Sequence, residues 1–177
     1  MRDVLDQIDS ASRMGLYYLA LMGALAIPDM CGKLETPNVC VKERWSRWYE
    51  ENIDSFYLSN SPSGAVWLSG ADAYQFRCSF LHEGSAQSRP ETAHGRIIFV
   101  EPGNLAGPVH LNGIEFGGVR ALTLDVSTFV SDVTSAARHW LDRVEGTEPF
   151  ETNFSSRFVR RYPEGFPGFI GGVPVIA

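Results

Sequence analysis

Cysteine, positive charge and long hydrophobic runs are all scarce in this chain. Cys31, Cys40 and Cys78 are three cysteines among 177 residues, too few for a closed disulfide framework. None stands in C-x2-C spacing, and His82, His94, His110 and His139 are scattered. Neither a tetrahedral zinc site nor any other cofactor is expected. The opening MRDVLDQIDS is too acidic for an export signal, so a cytoplasmic chain with reduced thiols is expected. The longest apolar run, Met14 to Ile27, would span about 21 Å as a helix, against about 30 Å for a membrane core. No membrane partner is expected. Fifteen Lys and Arg against 21 Asp and Glu leave a net charge of -6. That excludes a coat of duplex nucleic acid held by bulk charge, while local patches remain free to bind. No G-x-S-x-G, Walker or dinucleotide fingerprint occurs, and no internal repeat.

What is present is a 44% hydrophobic chain with helical periodicity at both ends of a more broken middle. The spacing predicts a first, almost wholly apolar helix from about Arg2 to Ile27, stopped by Pro28 and Gly32. Gly15, Ala20, Gly23 and Ala24 would let neighbours approach it closely. A second helix is predicted from Pro37 to about Ile53, with Thr36 as N-cap. Its inner stripe is Val39, Val41, Trp45, Trp48 and Tyr49. Arg44 and Arg47 fall on its solvated outer face. A third helix runs from about Ser69 to Glu83 and ends at Gly84. Short strands are expected at 96–100, 109–111 and 119–124, with Asn112-Gly113 as a tight hairpin turn. The last main helix, 125–144, has one broad apolar stripe. The expected fold class is mainly α: a helical bundle with a small antiparallel β insertion and an extended C-terminal arm. Residues 1–147 would form the helical domain with its insertion at about 96–124, and residues 148–177 the Gly/Pro/Phe-rich arm.

One residue does not suit its place. Around the third helix, Ala73, Tyr74, Phe76, Phe80 and Leu81 form an apolar face, and Arg77 lands near its middle. A guanidinium cannot shed its proton to escape burial, so it needs anionic or carbonyl partners. Three readings follow. Arg77 is structural, paired with Asp29, Asp54 or Glu35; or it sits in a subunit seam; or it awaits a phosphate, which its forked donors suit.

Arg77-Cys-Ser-Phe-Leu-His82 resembles the R-x4-H signature of the HEPN superfamily, small helical domains of which many are metal-independent ribonucleases of toxin–antitoxin and other defence systems. Cys78 stands where many members carry a polar residue, often Asn, and the β segment lies outside the minimal domain. The resemblance implies a homodimer whose Arg77 and His82 pairs share a cleft. Arg77 would bind the scissile phosphate of RNA and His82 would act as general acid or base, without a cofactor. It also leaves room for an antitoxin-like protein partner. Asp72, Gln75 and Ser79 share the polar side of the helix with His82 and are candidates to support it. The alternative is a non-enzymatic binding or assembly module, in which Arg77 is structural or locks an interface.

Two further features could meet an anion such as RNA. Arg44 and Arg47 alternate with Trp45 and Trp48, an arrangement that can stack bases, although aromatics at this spacing are more often core. Arg157, Arg160 and Arg161 form the densest basic cluster of the chain.

Overall fold

The computed structural model describes residues 1–62, 64, 66–87, 92–103, 107 and 109–177. The chain is mainly α. Helix α1 (Arg2–Arg13) is followed by α2 (Tyr17–Glu35), α3 (Val41–Asn52) and α4 (Gly70–Cys78), which passes into a π-helical turn (Ser79–Glu83). Strands β1 (Arg96–Val100), β2 (Asn112–Phe116) and β3 (Val119–Asp125) precede α5 (Val126–Val144) and α6 (Glu148–Arg157). Four two-residue strands close the chain: β4 (Arg161–Tyr162), β5 (Gly165–Phe166), β6 (Ile170–Gly171) and β7 (Val175–Ile176).

The single first helix expected from the sequence is two. The break lies at Gly15, whose φ of +74° is the left-handed conformation that glycine adopts without steric cost. Pro28 does not end α2, which continues to Glu35. Contacts with α1, α3, α5 and α6 outweigh the lost backbone bond, since tertiary packing overrides local propensity. Trp45 Nε1 donates to the Leu25 carbonyl at 3.1 Å and ties α3 to α2 near this proline. Gly23 does allow close approach: a Cβ there would stand 2.6 Å from Ile8 Cγ1. Thr36 is not an N-cap. Its hydroxyl donates back to the Gly32 carbonyl at the end of α2, and α3 starts only after Cys40.

Trp45, Trp48 and Tyr49 are buried on the inner face of α3, whereas Val41, in its exposed first turn, and Val39, before the helix, do not join the stripe expected of them. Val126, Phe129, Val130, Val133, Ala137, Trp140 and Leu141 are buried on the inner face of α5. These stripes form one core with Leu5, Leu25, Leu34, Tyr57 and Phe76. Asp125 caps α5 by accepting the Thr128 N–H at 2.7 Å.

The sheet is not the antiparallel insertion expected. Its order is β1-β3-β2, with β3 parallel to β1 and antiparallel to β2. Ala121, Leu122, Thr123 and Leu124 on the central strand are buried, whereas β2 is exposed throughout. The hairpin turn is Gly117-Gly118, both at positive φ (+60° and +77°), as the favoured two-residue turn demands. Asn112 and Gly113 lie within β2, paired with Thr123 and Leu122. Residues 109–111 form no strand; Thr123 Oγ1 holds that approach through the Val109 and Asn112 carbonyls.

The arm expected as extended opens with the ten-residue helix α6. Phe150, Phe154 and Phe158 recur every fourth residue and stack, with centroids 5.3 and 5.0 Å apart. Asn153 ties the helix to the end of α2 through the Leu34 carbonyl. Beyond it, β4 pairs with β7 and β5 with β6, one ribbon nested in the other.

Candidate functional site

Helix α4 starts where its chemistry dictates: Ser69 Oγ accepts the Asp72 N–H at 3.1 Å. Its far end widens into the π-helical turn, where the Gly84 N–H reaches the Ser79 carbonyl, five residues back. Gly84 then ends the helix at φ +62°. The widening matters for Arg77 and His82. On an α-helix, residues five apart point about 140° away from each other. A turn with i→i+5 bonding brings them toward the same side. Arg77 Nη1 lies 3.4 Å from His82 Nε2. A guanidinium only donates, so in this contact Nε2 is the acceptor.

Arg77 is half-buried, its side chain 13% exposed, whereas His82 is exposed. Across the site stands Asp29 of α2, one of the three acids the sequence offered as partners. Its two oxygens serve different arginines. Oδ1 accepts Arg44 Nε at 2.8 Å and Arg44 Nη2 at 2.6 Å; Oδ2 stands 3.6 Å from Arg77 Nη2. Arg44 also donates to the Val39 carbonyl at 2.9 Å. The nearer arginine therefore takes the carboxylate, and the Arg77 charge is only distantly compensated. Its remaining contacts are weak: Cys78 Sγ at 3.9 Å and the face of Tyr74 at 5.9 Å. Arg77 Nε is sealed without a hydrogen-bond partner. Burial, then the Cys78 hydrogen bond, raise the Tyr74 pKa and keep that phenol protonated.

The other candidates separate. Ser79 is buried and opens the π turn through its carbonyl. Gln75 is half-buried, and its carbonyl accepts the Ser79 N–H. Asp72 stands in the first turn of α4, ten residues before His82 and about 15 Å away along the axis. Arg44 is not on a solvated face: its side chain is 10% exposed and bonded to Asp29. Arg47 donates to Thr36 Oγ1 at 2.9 Å. Trp45 and Trp48 are core residues, closed to stacked bases. Arg157, Arg160 and Arg161 line a cavity that Asp29 and Arg44 also border and that neither Arg77 nor His82 enters.

The sequence reading assigned no role to a further group. Tyr57 donates to Asp132 Oδ2 at 2.7 Å, and His110 Nε2 lies 3.8 Å from the same oxygen. Burial raises the Asp132 pKa. These residues are 75 and 22 positions apart, and no local spacing signals their meeting. Among the described residues, no three His, Cys, Asp or Glu side chains stand together as a metal site, and no helix is long and apolar enough to cross a membrane. Comparison with family models, with characterised proteins and with solved structures finds no match to this chain.

Proposed function

We propose that Arg77 and His82 form the active pair of a metal-independent endoribonuclease of a defence or toxin type. The observation that carries this reading is the unequal division of Asp29. Arg44 satisfies that carboxylate at 2.6 to 2.8 Å, which leaves the Arg77 guanidinium charged, half-buried and beside an exposed imidazole. A phosphodiester is the anion such a fork fits.

In the reaction the ribose 2′-oxygen bonds to phosphorus while the bond from phosphorus to the 5′-oxygen breaks. His82 Nε2, released from the Arg77 contact as the phosphate takes the guanidinium, accepts the 2′-OH proton as general base, and the partner's His82, in its protonated form, gives one to the leaving 5′-oxygen. Arg77 offsets the charge that grows on the phosphoryl oxygens. The products are a 2′,3′-cyclic phosphate and a 5′-hydroxyl. DNA has no 2′-OH and does not react.

A homodimer is part of this reading. Met14, Leu16, Tyr18, Leu19 and Met22 are exposed around the start of α2, and Tyr18 and Phe80 line one groove of about 400 Å³ beside the π turn. An exposed apolar patch of this kind suits a subunit seam. An antitoxin-like protein is the other partner the reading admits.

The second reading, a non-enzymatic assembly module, is favoured by the Arg77–Asp29 contact itself. The deciding experiment incubates RNA in EDTA with the wild type, Arg77→Ala and His82→Ala. Loss of about 10²- to 10⁴-fold in cleavage is expected for each variant, with unchanged unfolding midpoints. Absence of cleavage by the wild type, with destabilisation in Arg77→Ala alone, overturns the enzyme in favour of the structural role.

A further inference from the structure

A cavity of about 1070 Å³ lies between the first turn of α1, the second half of α2, α6 and the β4–β7 ribbon. Its lining includes the apolar side chains of Val4, Met30, Phe154, Val159 and Ile176, and next to the last three of these the cations Arg157, Arg160 and Arg161. The acids at the cavity are engaged elsewhere or stand apart from these three. Asp29 holds Arg44 and Glu145 holds Arg2; Glu151 accepts the Gly146 N–H, and Asp3 sits in the first turn of α1.

Among the described residues no side-chain carboxylate forms an ion pair with Arg157, Arg160 or Arg161, although Ala177 O accepts the Arg160 backbone N–H at 2.8 Å. Arg160 is fixed in place. Its guanidinium lies 5.8 Å from the Phe154 ring and 5.5 Å from that of Tyr162, and Nη2 donates to the Ser155 carbonyl at 3.2 Å. Arg157 and Arg161 are exposed and keep their forks free. The lining carries six Lys or Arg against four Asp or Glu, so in a chain of net charge -6 this cavity has a local excess of the opposite sign.

Guanidinium forks match phosphate or carboxylate oxygens. A bare inorganic anion would leave most of the volume, and the apolar lining, unused. Ligand sites of this size bury an apolar body and orient it by a few polar groups. We propose that this cavity binds an amphiphilic anion, its phosphate or carboxylate head held by Arg157 and Arg161 beside Arg160 and its apolar body lying against Val4 and Met30.

The test is calorimetric titration of the full chain with octyl phosphate, decanoate and inorganic phosphate, the amphiphiles kept below micelle formation. One-site binding of octyl phosphate or decanoate, at least tenfold tighter than inorganic phosphate, is expected. The tighter of the two amphiphiles identifies the head group. The double variant Arg157→Gln/Arg161→Gln weakens that binding at least tenfold. Both side chains are exposed and unpartnered, so the fold survives, as an unchanged urea midpoint verifies. Met30→Gln weakens the amphiphile but leaves inorganic phosphate unaffected. The proposal is overturned if neither amphiphile saturates the protein, if inorganic phosphate binds as tightly, or if the double variant binds as the wild type does. Binding alone is read, so the result is independent of whether Arg77 and His82 cleave RNA.

Discussion

A single carboxylate sets the character of the candidate site. Asp29 has two oxygens and two arginines within reach, and the shorter pair leaves the longer one available. Histidine shows the opposite outcomes of burial in one chain. His82 is exposed beside Arg77, whereas His94 is 4% exposed and donates from Nε2 to the Trp67 carbonyl at 2.9 Å. His94 Nδ1 is sealed without a partner, so a second proton has nowhere to bond. Burial accordingly holds its pKa below 6.5. Below that value the unfolded chain binds a proton that the folded chain refuses. The His94 contribution is fully present above about pH 6.5 and is lost as pH falls through the lower folded value. Urea midpoints measured at about pH 7.5 and about pH 5 should fall further for the wild type than for His94→Gln, whose amide can keep the bond to Trp67. Equal falls would refute this account.

Among the elements, α4 and its π turn carry the site, and α3 positions them. Ser46 Oγ donates to the Gly70 carbonyl, and the Gly70 N–H donates to Glu50. A Cβ on Gly70 would stand 2.6 Å from the Ser46 carbonyl oxygen, which is backbone and cannot swing away. Gly70→Ala should cost about 1 to 3 kcal/mol by overpacking and push Arg77 out of register with Asp29, reducing RNA cleavage. Ser69→Ala should cost about 1 kcal/mol through the lost cap and leave cleavage near wild type. Chemical unfolding and cleavage rates on both variants separate the two effects. The start of α4 at Ser69 and its end at Gly84 were legible because a cap and a glycine act locally. The π turn was not, since no residue type encodes an i→i+5 bond. A regular helix drawn through the motif set Arg77 and His82 on different sides.

For the molecule as a whole, the apolar patch at the start of α2 is where the proposed homodimer can be tested. Tyr18 is 74% exposed and Leu19 61%, so replacing them should not disturb the core. Sedimentation of the wild type should show a dimer, and Tyr18→Glu/Leu19→Glu should shift it to a monomer with cleavage lost. A wild type that sediments as a monomer at micromolar concentration would remove the shared cleft from the proposal. The patch belongs to a run that in the sequence reads as part of one buried helix. Gly15 breaks that run, and α2 exposes its beginning while α1, α3, α5 and α6 cover its middle and end.

The sequence by itself determined the mainly helical character, the burial of Trp45, Trp48 and Tyr49 on α3, the inner stripe of α5, the span of α4 with its turn, and the burial conflict at Arg77. Each depends on periodicity, caps or a charge on an apolar face, all properties of neighbours within a few positions. Tertiary structure alone decided that Arg44 goes inward to Asp29, that Pro28 is carried within α2, that β3 pairs in parallel with β1, and that Arg157, Arg160 and Arg161 meet one cavity. Those outcomes compare the energies of groups far apart along the chain, and only the folded packing brings such groups into competition.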